Sequence, residues 1–215
     1  MSPKTNPWLQ KSIHNLVPLS QSDDFKVACK EWSFTGEVID HGGARERCEL
    51  CEHDELRYHF CIANQFNLKK IWVGSSCILR FEDIIILDEE QRMITDSKER
   101  KRALDKALKA KQIDLALEPI RELWKQEREQ RYRIEYIAVS IKSGKAPQPD
   151  ELLYLFTLMT RNSIVFEPSR YSVNLRSTYS HYQLFCMEKA SQELLWLSMS
   201  AQQRKAFKGR MLIDS

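Results

Sequence analysis

The sequence predicts an α+β protein: a small β-rich module carrying clustered cysteines, followed by a mainly α-helical domain. Three observations lead there. Four of the six cysteines (Cys48, Cys51, Cys61, Cys77) fall within about thirty residues. Residues 31–73 contain short aromatic and β-branched runs with period-two alternation, the pattern of half-buried strands. Beyond about residue 95 glycine nearly vanishes and the helix formers Lys, Glu, Ala, Leu, Arg and Gln dominate. We therefore expect a lead-in over 1–28, a metal-binding β-rich module over 29–95 and a helical domain over 96–215. The length, 215 residues at 42% hydrophobic and 29% charged, suits an ordinary globular protein of one large or two small domains.

The elements follow in chain order. Met1–Trp8 is polar, contains Pro3 and Pro7, and reads as a loose tail. Residues 9–30 read as a short helical lead-in. The run Glu31–Ile39 reads as a strand and His41-Gly42-Gly43 as a turn. In Leu56–Ile62 one face carries Leu56, Tyr58, Phe60 and Ile62, the other Arg57, His59 and Cys61. Lys70–Val73 is a third strand, Gly74-Ser75-Ser76 a turn, and Cys77–Phe81 the start of a helix. Downstream, Leu104, Leu108, Leu115, Ile120, Leu123 and Trp124 recur at helical spacing, with a break expected at Pro119. Trp124, Tyr132 and Tyr136 share a stripe and read as core, as do Tyr171, Tyr179, Tyr182, Trp196 and Phe207. Residues 143–149 form a connection, and Asp150 is placed to cap the next helix. Residues 167–177 are irregular. A last helical region spans 178–211, with Ser198 or Ser200 able to cap a new helix.

The cysteine spacing points to a metal. Zinc takes about four soft or borderline ligands in a tetrahedron. Cys48-x-x-Cys51 supplies two from one tight turn, and Cys77, after a strand and opening a helix, is the natural third. Where no secretory signal is read, clustered cysteines are metal ligands more often than disulfides. Cys61 would complete a four-cysteine set. His53, His59, His41 and Cys29 are the alternatives. A cysteine-rich set suits a closed structural site, whereas catalytic zinc keeps a position for water.

The turn–hairpin–helix order resembles a treble-clef zinc finger. It departs from one at position 80, where a second helix ligand would stand and this chain has Arg80. Glu31-Trp32, Cys48-x-x-Cys51, Leu56-Arg57-Tyr58 and Val73-Gly74-Ser75-Ser76-Cys77-Ile78-x-x-Phe81 together resemble a zinc module of phage and plasmid proteins. In size and architecture the chain also resembles the large-subunit-like zinc-finger protein (Csf family) of type IV CRISPR effector complexes. The shared motif covers about residues 29–81. That resemblance implies a non-catalytic, zinc-bearing subunit of a ribonucleoprotein. It would contact the 5′ end of a guide RNA and the short motif flanking the target DNA, among other protein subunits.

The net charge of +3 is too small to identify a nucleic-acid partner by itself. Local clusters carry the expectation: Arg45, Arg47, Arg57, Lys69, Lys70 and Arg80 around the cysteines, Lys98, Lys101 and Arg102 opening the helical stretch, and Arg204, Lys205 and Lys208 near the end. Solvated helix faces are the plain alternative. No phosphate-binding glycine loop, nucleophile elbow or His-Glu-x-x-His stands in the sequence, so no enzyme is expected; a metal-dependent nuclease using Asp23-Asp24 or Asp88-Glu89-Glu90 is the distant rival. A zinc module that grips a partner protein is the nearer one. No long apolar run or signal peptide is read, and a cytoplasmic location is expected.

Overall fold

The computed structural model describes residues 6–43 and 45–213. The expected tail falls largely on residues 1–5, which lie outside them; Pro7 and Trp8 already belong to a helix. The chain divides into two compact units, residues 1–111 and 112–215.

The first unit opens with helix α1 (Pro7–Leu16), whose Asn6 side chain accepts from the Trp8 N–H and whose first residue is proline, a ring pre-set for a helix start. A 3₁₀ turn over Val17–Leu19 and the short helix α2 (Phe25–Cys29), capped by Asp24, follow. Three strands then form one antiparallel sheet in the order β1 (Trp32–Asp40), β2 (Tyr58–Asn64), β3 (Lys70–Val73). Strand β1 carries a bulge between Phe34 and Val38, where Gly36 adopts a φ of 85° that side chains rarely tolerate. Helix α3 (Ser75–Arg80) starts two residues before Cys77, so the expected Gly74–Ser76 turn is partly helix.

The lead-in is part of this unit. Trp32 is fully buried and its Nε1–H donates to Ser20 Oγ at 2.9 Å. Glu31, 5% exposed, accepts from the backbone N–H groups of Gln21 (2.7 Å) and Ser22 (2.8 Å) and from Asn64 Nδ2 (2.8 Å). One carboxylate therefore ties the loop before α2 to the end of β2. Burial acts to raise its pKa, but the donors on Gln21, Asn64 and Ser22 outweigh it and hold the group below the usual carboxylate range.

Helix α4 (Ser97–Gln126) feeds both units. Leu104 is buried in the first core with Ala103, Ala107 and Leu108 packed against it, while Ala116, Leu117, Ile120 and Leu123 belong to the second. The division at 111/112 rather than 95/96 follows from this change of core within one helix. Arg100 anchors the helix start: it is 1% exposed and donates to the carbonyls of Ile78 (2.8 Å) and Phe81 (3.4 Å). The Ile78 carbonyl lies in the last turn of α3, where no helix bond satisfies it; the Phe81 carbonyl also accepts from the Ile84 N–H at 3.0 Å. Pro119 does not break α4. It forfeits one backbone donor, but its neighbours Leu117 and Ile120 are held in the core, and the chain turns only at 127–130.

The second unit continues with α5 (Arg131–Lys142), α6 (Pro149–Arg161), a 3₁₀ turn at Pro168–Arg170, α7 (Thr178–Phe185), α8 (Lys189–Trp196) and α9 (Ala201–Phe207). Gln148, not Asp150, is the residue before α6, and its N–H donates to Glu151 at 2.8 Å; Asp150 lies within the first turn. Ser200 caps α9, as expected for one of the two serines. The aromatic stripe is a correction. Tyr132, Tyr136 and Trp124 are exposed, and so are Tyr179 and Tyr182. On α5 the buried stripe is Ile134, Ile137 and Ile141, which leaves Tyr132 and Tyr136 on the opposite side. Tyr171 and Phe207 are core, and the Tyr171 hydroxyl donates to the Ala116 carbonyl at 2.8 Å.

Because the folded pKa of Glu31 lies below its unfolded value, its contribution is full above about pH 4.3 and fades as pH falls through the folded value. Glu31→Gln should cost about 1–3 kcal/mol at pH 7. Thermal melts of variant and wild type should converge at low pH; a difference that persists unchanged there would contradict this account.

Candidate metal centre

Cys48, Cys51 and Cys77 come together with their sulfurs within 4.8 Å of one another, and all three are buried. Among the described residues this is the only set of three or more His, Cys, Asp or Glu groups so arranged. Two local structures build it. The first is the turn from Cys48 to His53. The Cys48 N–H donates to the His53 carbonyl (2.9 Å), and the Glu52 N–H donates to the Cys48 carbonyl (2.8 Å). Glu52 takes the left-handed φ of 60° that this closure demands. The second is the start of α3, which presents Cys77 in its first turn. Gly74 joins them: its N–H donates to Cys48 Sγ at 3.4 Å. A methyl group on Gly74 would lie 3.1 Å from Leu56 Cδ1, so the residue is small for a close approach, not for its dihedral angles.

Cys48 and Cys77 sulfurs are 3.7 Å apart. The Cys77 contact and the N–H groups of Cys51, Gly74 and Leu50 favour the thiolate at Cys48 against its burial. Cys77 is held protonated, first by that shared hydrogen bond and then by burial. A bound divalent ion would displace the remaining thiol protons and take all three sulfurs as thiolates.

Cys61 does not join the set. It is fully buried on β2, and burial raises its pKa. The reason is strand parity. Within β2, Tyr58 and Phe60 line the cavity beside the three thiols, and consecutive strand residues point to opposite faces; Arg57, just before the strand, also reaches the wall. Cys61 shares its face with His59, whose Nδ1 lies 3.1 Å from His41 Nε2. The alternation in Leu56–Ile62 separates the two faces, but only the fold shows which of them meets the thiols. Cys29 is also apart, in the core at the end of α2, where burial, then Asp83 and Asp24, push its thiol up to about 12.

The cavity, about 490 Å³, is lined by the three cysteines and by Trp8, His53, Glu55, Leu56, Tyr58, Arg80, Asp105 and others of the first unit. The Arg80 guanidinium lies 4.2 Å from the centre of the Trp8 ring, which stacks on Phe81 at 4.7 Å. No local sequence signal singles out Trp8 or Asp105, which reach the wall only through long-range folding.

The basic residues expected to meet nucleic acid separate into two groups. Arg45 pairs with Glu55 (2.7 Å), Arg47 with Glu52 (2.8 Å), Arg57 with Asp40 (2.9 Å) and Lys70 with Glu37 (3.0 Å). Arg80 is engaged with Trp8, and Arg204 donates to the carbonyls of Trp196 and Leu197 at 3.1 Å, closing α8. Lys69, Lys98, Lys101, Arg102, Lys205 and Lys208 are exposed and make no ion pair with a described residue. Residues 1–96 hold eleven Lys/Arg against sixteen Asp/Glu, whereas residues 97–111 hold seven against two.

No protein family, curated protein or solved structure matches the chain. Among the described residues no helix is long and apolar enough to cross a membrane.

Cys48→Ser should abolish metal binding, and it or a strong chelator should disorder residues 30–85 while the second unit keeps its helices. Cys61→Ser should leave the metal content unchanged. Metal analysis with amide hydrogen exchange tests both; unchanged metal content in the Cys48 variant would remove the site.

Proposed function

We propose that the protein is a non-enzymatic nucleic-acid-binding subunit whose zinc module is structural and whose basic contact surface lies on the first half of α4. The observation that carries this reading is the row Lys98, Lys101, Arg102 and Lys109, exposed and free of ion pairs with described residues. Positions 98, 102 and 109 are spaced by one and then two helical turns, with Lys101 beside them, so their ammonium and guanidinium groups project along one side of the helix. Such a row can follow a phosphate backbone, each contact releasing condensed counterions.

Zinc is the ion that suits this donor set. Three thiolates are soft ligands, and a buried cysteine site in a knuckle–hairpin–helix arrangement resembles a treble clef. An ion there would add to the apolar core of the first unit, binding free energy being on the order of 10 kcal/mol in zinc peptides. The resemblance to the Csf family supplies the finer setting. There the chain would hold the guide RNA near its 5′ end and read the DNA motif flanking the target, while base pairing reads the target itself.

Within this reading the arginines near the cysteines are scaffold rather than contact groups. Arg45, Arg47 and Arg57 are held by carboxylates of their own module, and exposed pairs of this kind leave little net field. The same acidic, internally paired surface favours the second reading, a module that grips a partner protein.

Changing Lys98, Lys101, Arg102 and Lys109 together to alanine should weaken RNA or DNA binding. It should flatten the dependence of log K on log salt by about three units, at roughly 0.7–0.9 per phosphate contact. Arg45→Ala with Arg47→Ala should leave the slope unchanged. Filter binding or fluorescence anisotropy across a salt series checks this. Salt-independent retention on protein but not on nucleic acid would favour the second reading.

A further inference from the structure

We propose that His53 supplies the fourth ligand of the metal centre, making a three-cysteine, one-histidine site; this rests on the metal-binding reading of the three thiols. A tetrahedral ion held by Cys48, Cys51 and Cys77 has one position left. Among the described residues no fourth His, Cys, Asp or Glu atom lies within 4.8 Å of all three sulfurs. The ligand must therefore come from a side chain that can swing in from the cavity wall. That wall offers three candidates of the right chemistry: His53, Glu55 and Asp105. Arg80, one turn beyond Cys77, is also there, but a guanidinium has no lone pair to give.

Three properties separate the candidates. The first is freedom. Glu55 is tied to Arg45 at 2.7 Å, whereas the His53 ring makes no hydrogen bond, ion pair or ring contact with a described residue. His53 is exposed, so turning its side chain breaks nothing. The second is anchorage. The His53 carbonyl accepts from the Cys48 N–H at 2.9 Å, so its backbone is held at the metal turn itself. Asp105 instead comes from α4, far along the chain. The third is charge. Zinc with three thiolates carries one net negative charge. An imidazole leaves it at minus one, which Arg80 on the same wall balances, whereas a carboxylate would add a second negative charge to a half-enclosed site. Nitrogen is also a better partner than oxygen for an ion already held by sulfur. His41 and His59 pair with each other and neither lines the cavity wall; His59, although its Nε2 is buried without a partner, also lies outside the 4.8 Å set.

The test uses the full chain loaded with Co²⁺, whose visible ligand-field bands report the donor set, together with chelator competition for Zn²⁺. His53→Ala should shift those bands and weaken zinc binding by roughly tenfold or more, at least the loss typical of a supporting outer-shell group. His53→Cys should restore tight binding with a stronger thiolate charge-transfer band, which separates loss of a ligand from loss of folding. Glu55→Gln and Asp105→Asn should superimpose on wild type. A His53→Ala spectrum and zinc affinity equal to wild type would overturn the proposal, as would a shift confined to Asp105→Asn. Wild type that takes up neither ion would instead overturn the metal reading beneath it.

Discussion

The convergence of three buried sulfurs from two segments twenty-nine residues apart is the constraint around which the first unit is arranged. A turn and a helix start cannot by themselves bring Cys48 and Cys51 to Cys77. The hairpin of β2 and β3 does it, by returning the chain so that Trp72 lies opposite Cys61 and Gly74 reaches Cys48. The even-numbered face of β2 then becomes the floor of the cavity. Each part depends on the others: Gly74 is small because Leu56 presses against it, and Glu52 is left-handed because the Cys48–His53 turn closes on itself. An ion that binds three thiolates would hold these parts together in addition to the apolar core of the first unit.

Around that centre the first unit is stabilised by polar anchors as much as by its core. Glu31 gathers three donors from the lead-in and the end of β2, and Arg100 gathers carbonyls at the end of α3. Glu31 is a buried charge with hydrogen bonds in compensation, and the Arg100 terminal nitrogens find carbonyl acceptors while its Nε is left without a partner among the described residues. They explain why the lead-in and the start of α4 belong to the same compact unit as the sheet. Helix α4 then changes partners along its length. Its exposed basic side chains are what such a helix leaves to solvent once its apolar residues are committed to one core or the other.

Charge distribution sets the functional reading apart from the sequence motif. The cysteine motif is flanked by arginines, yet the folded chain pairs them with neighbouring carboxylates. Among the described residues, cations without an ion pair lie elsewhere, on α4 (Lys98, Lys101, Arg102, Lys109) and also near the end of the chain (Lys205, Lys208). A residue's formal charge is legible in sequence. Whether that charge is free to meet a phosphate is decided by which carboxylates fold beside it.

The sequence by itself determined the α+β class, the three strands, the helical second half and the set Cys48, Cys51 and Cys77. Each of these is a local signal: alternation, helix-forming composition, a two-residue cysteine spacing, a cysteine after a glycine turn. It also placed Cys61 on the strand face opposite Tyr58 and Phe60, but which of those faces meets the thiols was decided by the fold. Only the tertiary structure decided that Pro119 stays inside α4, that Tyr132 and Tyr136 face outward, that Trp8 and Asp105 reach the cavity wall, and that the units divide within a helix. These depend on which face of an element finds a packing partner. That partner is distant in sequence, so no local pattern encodes it.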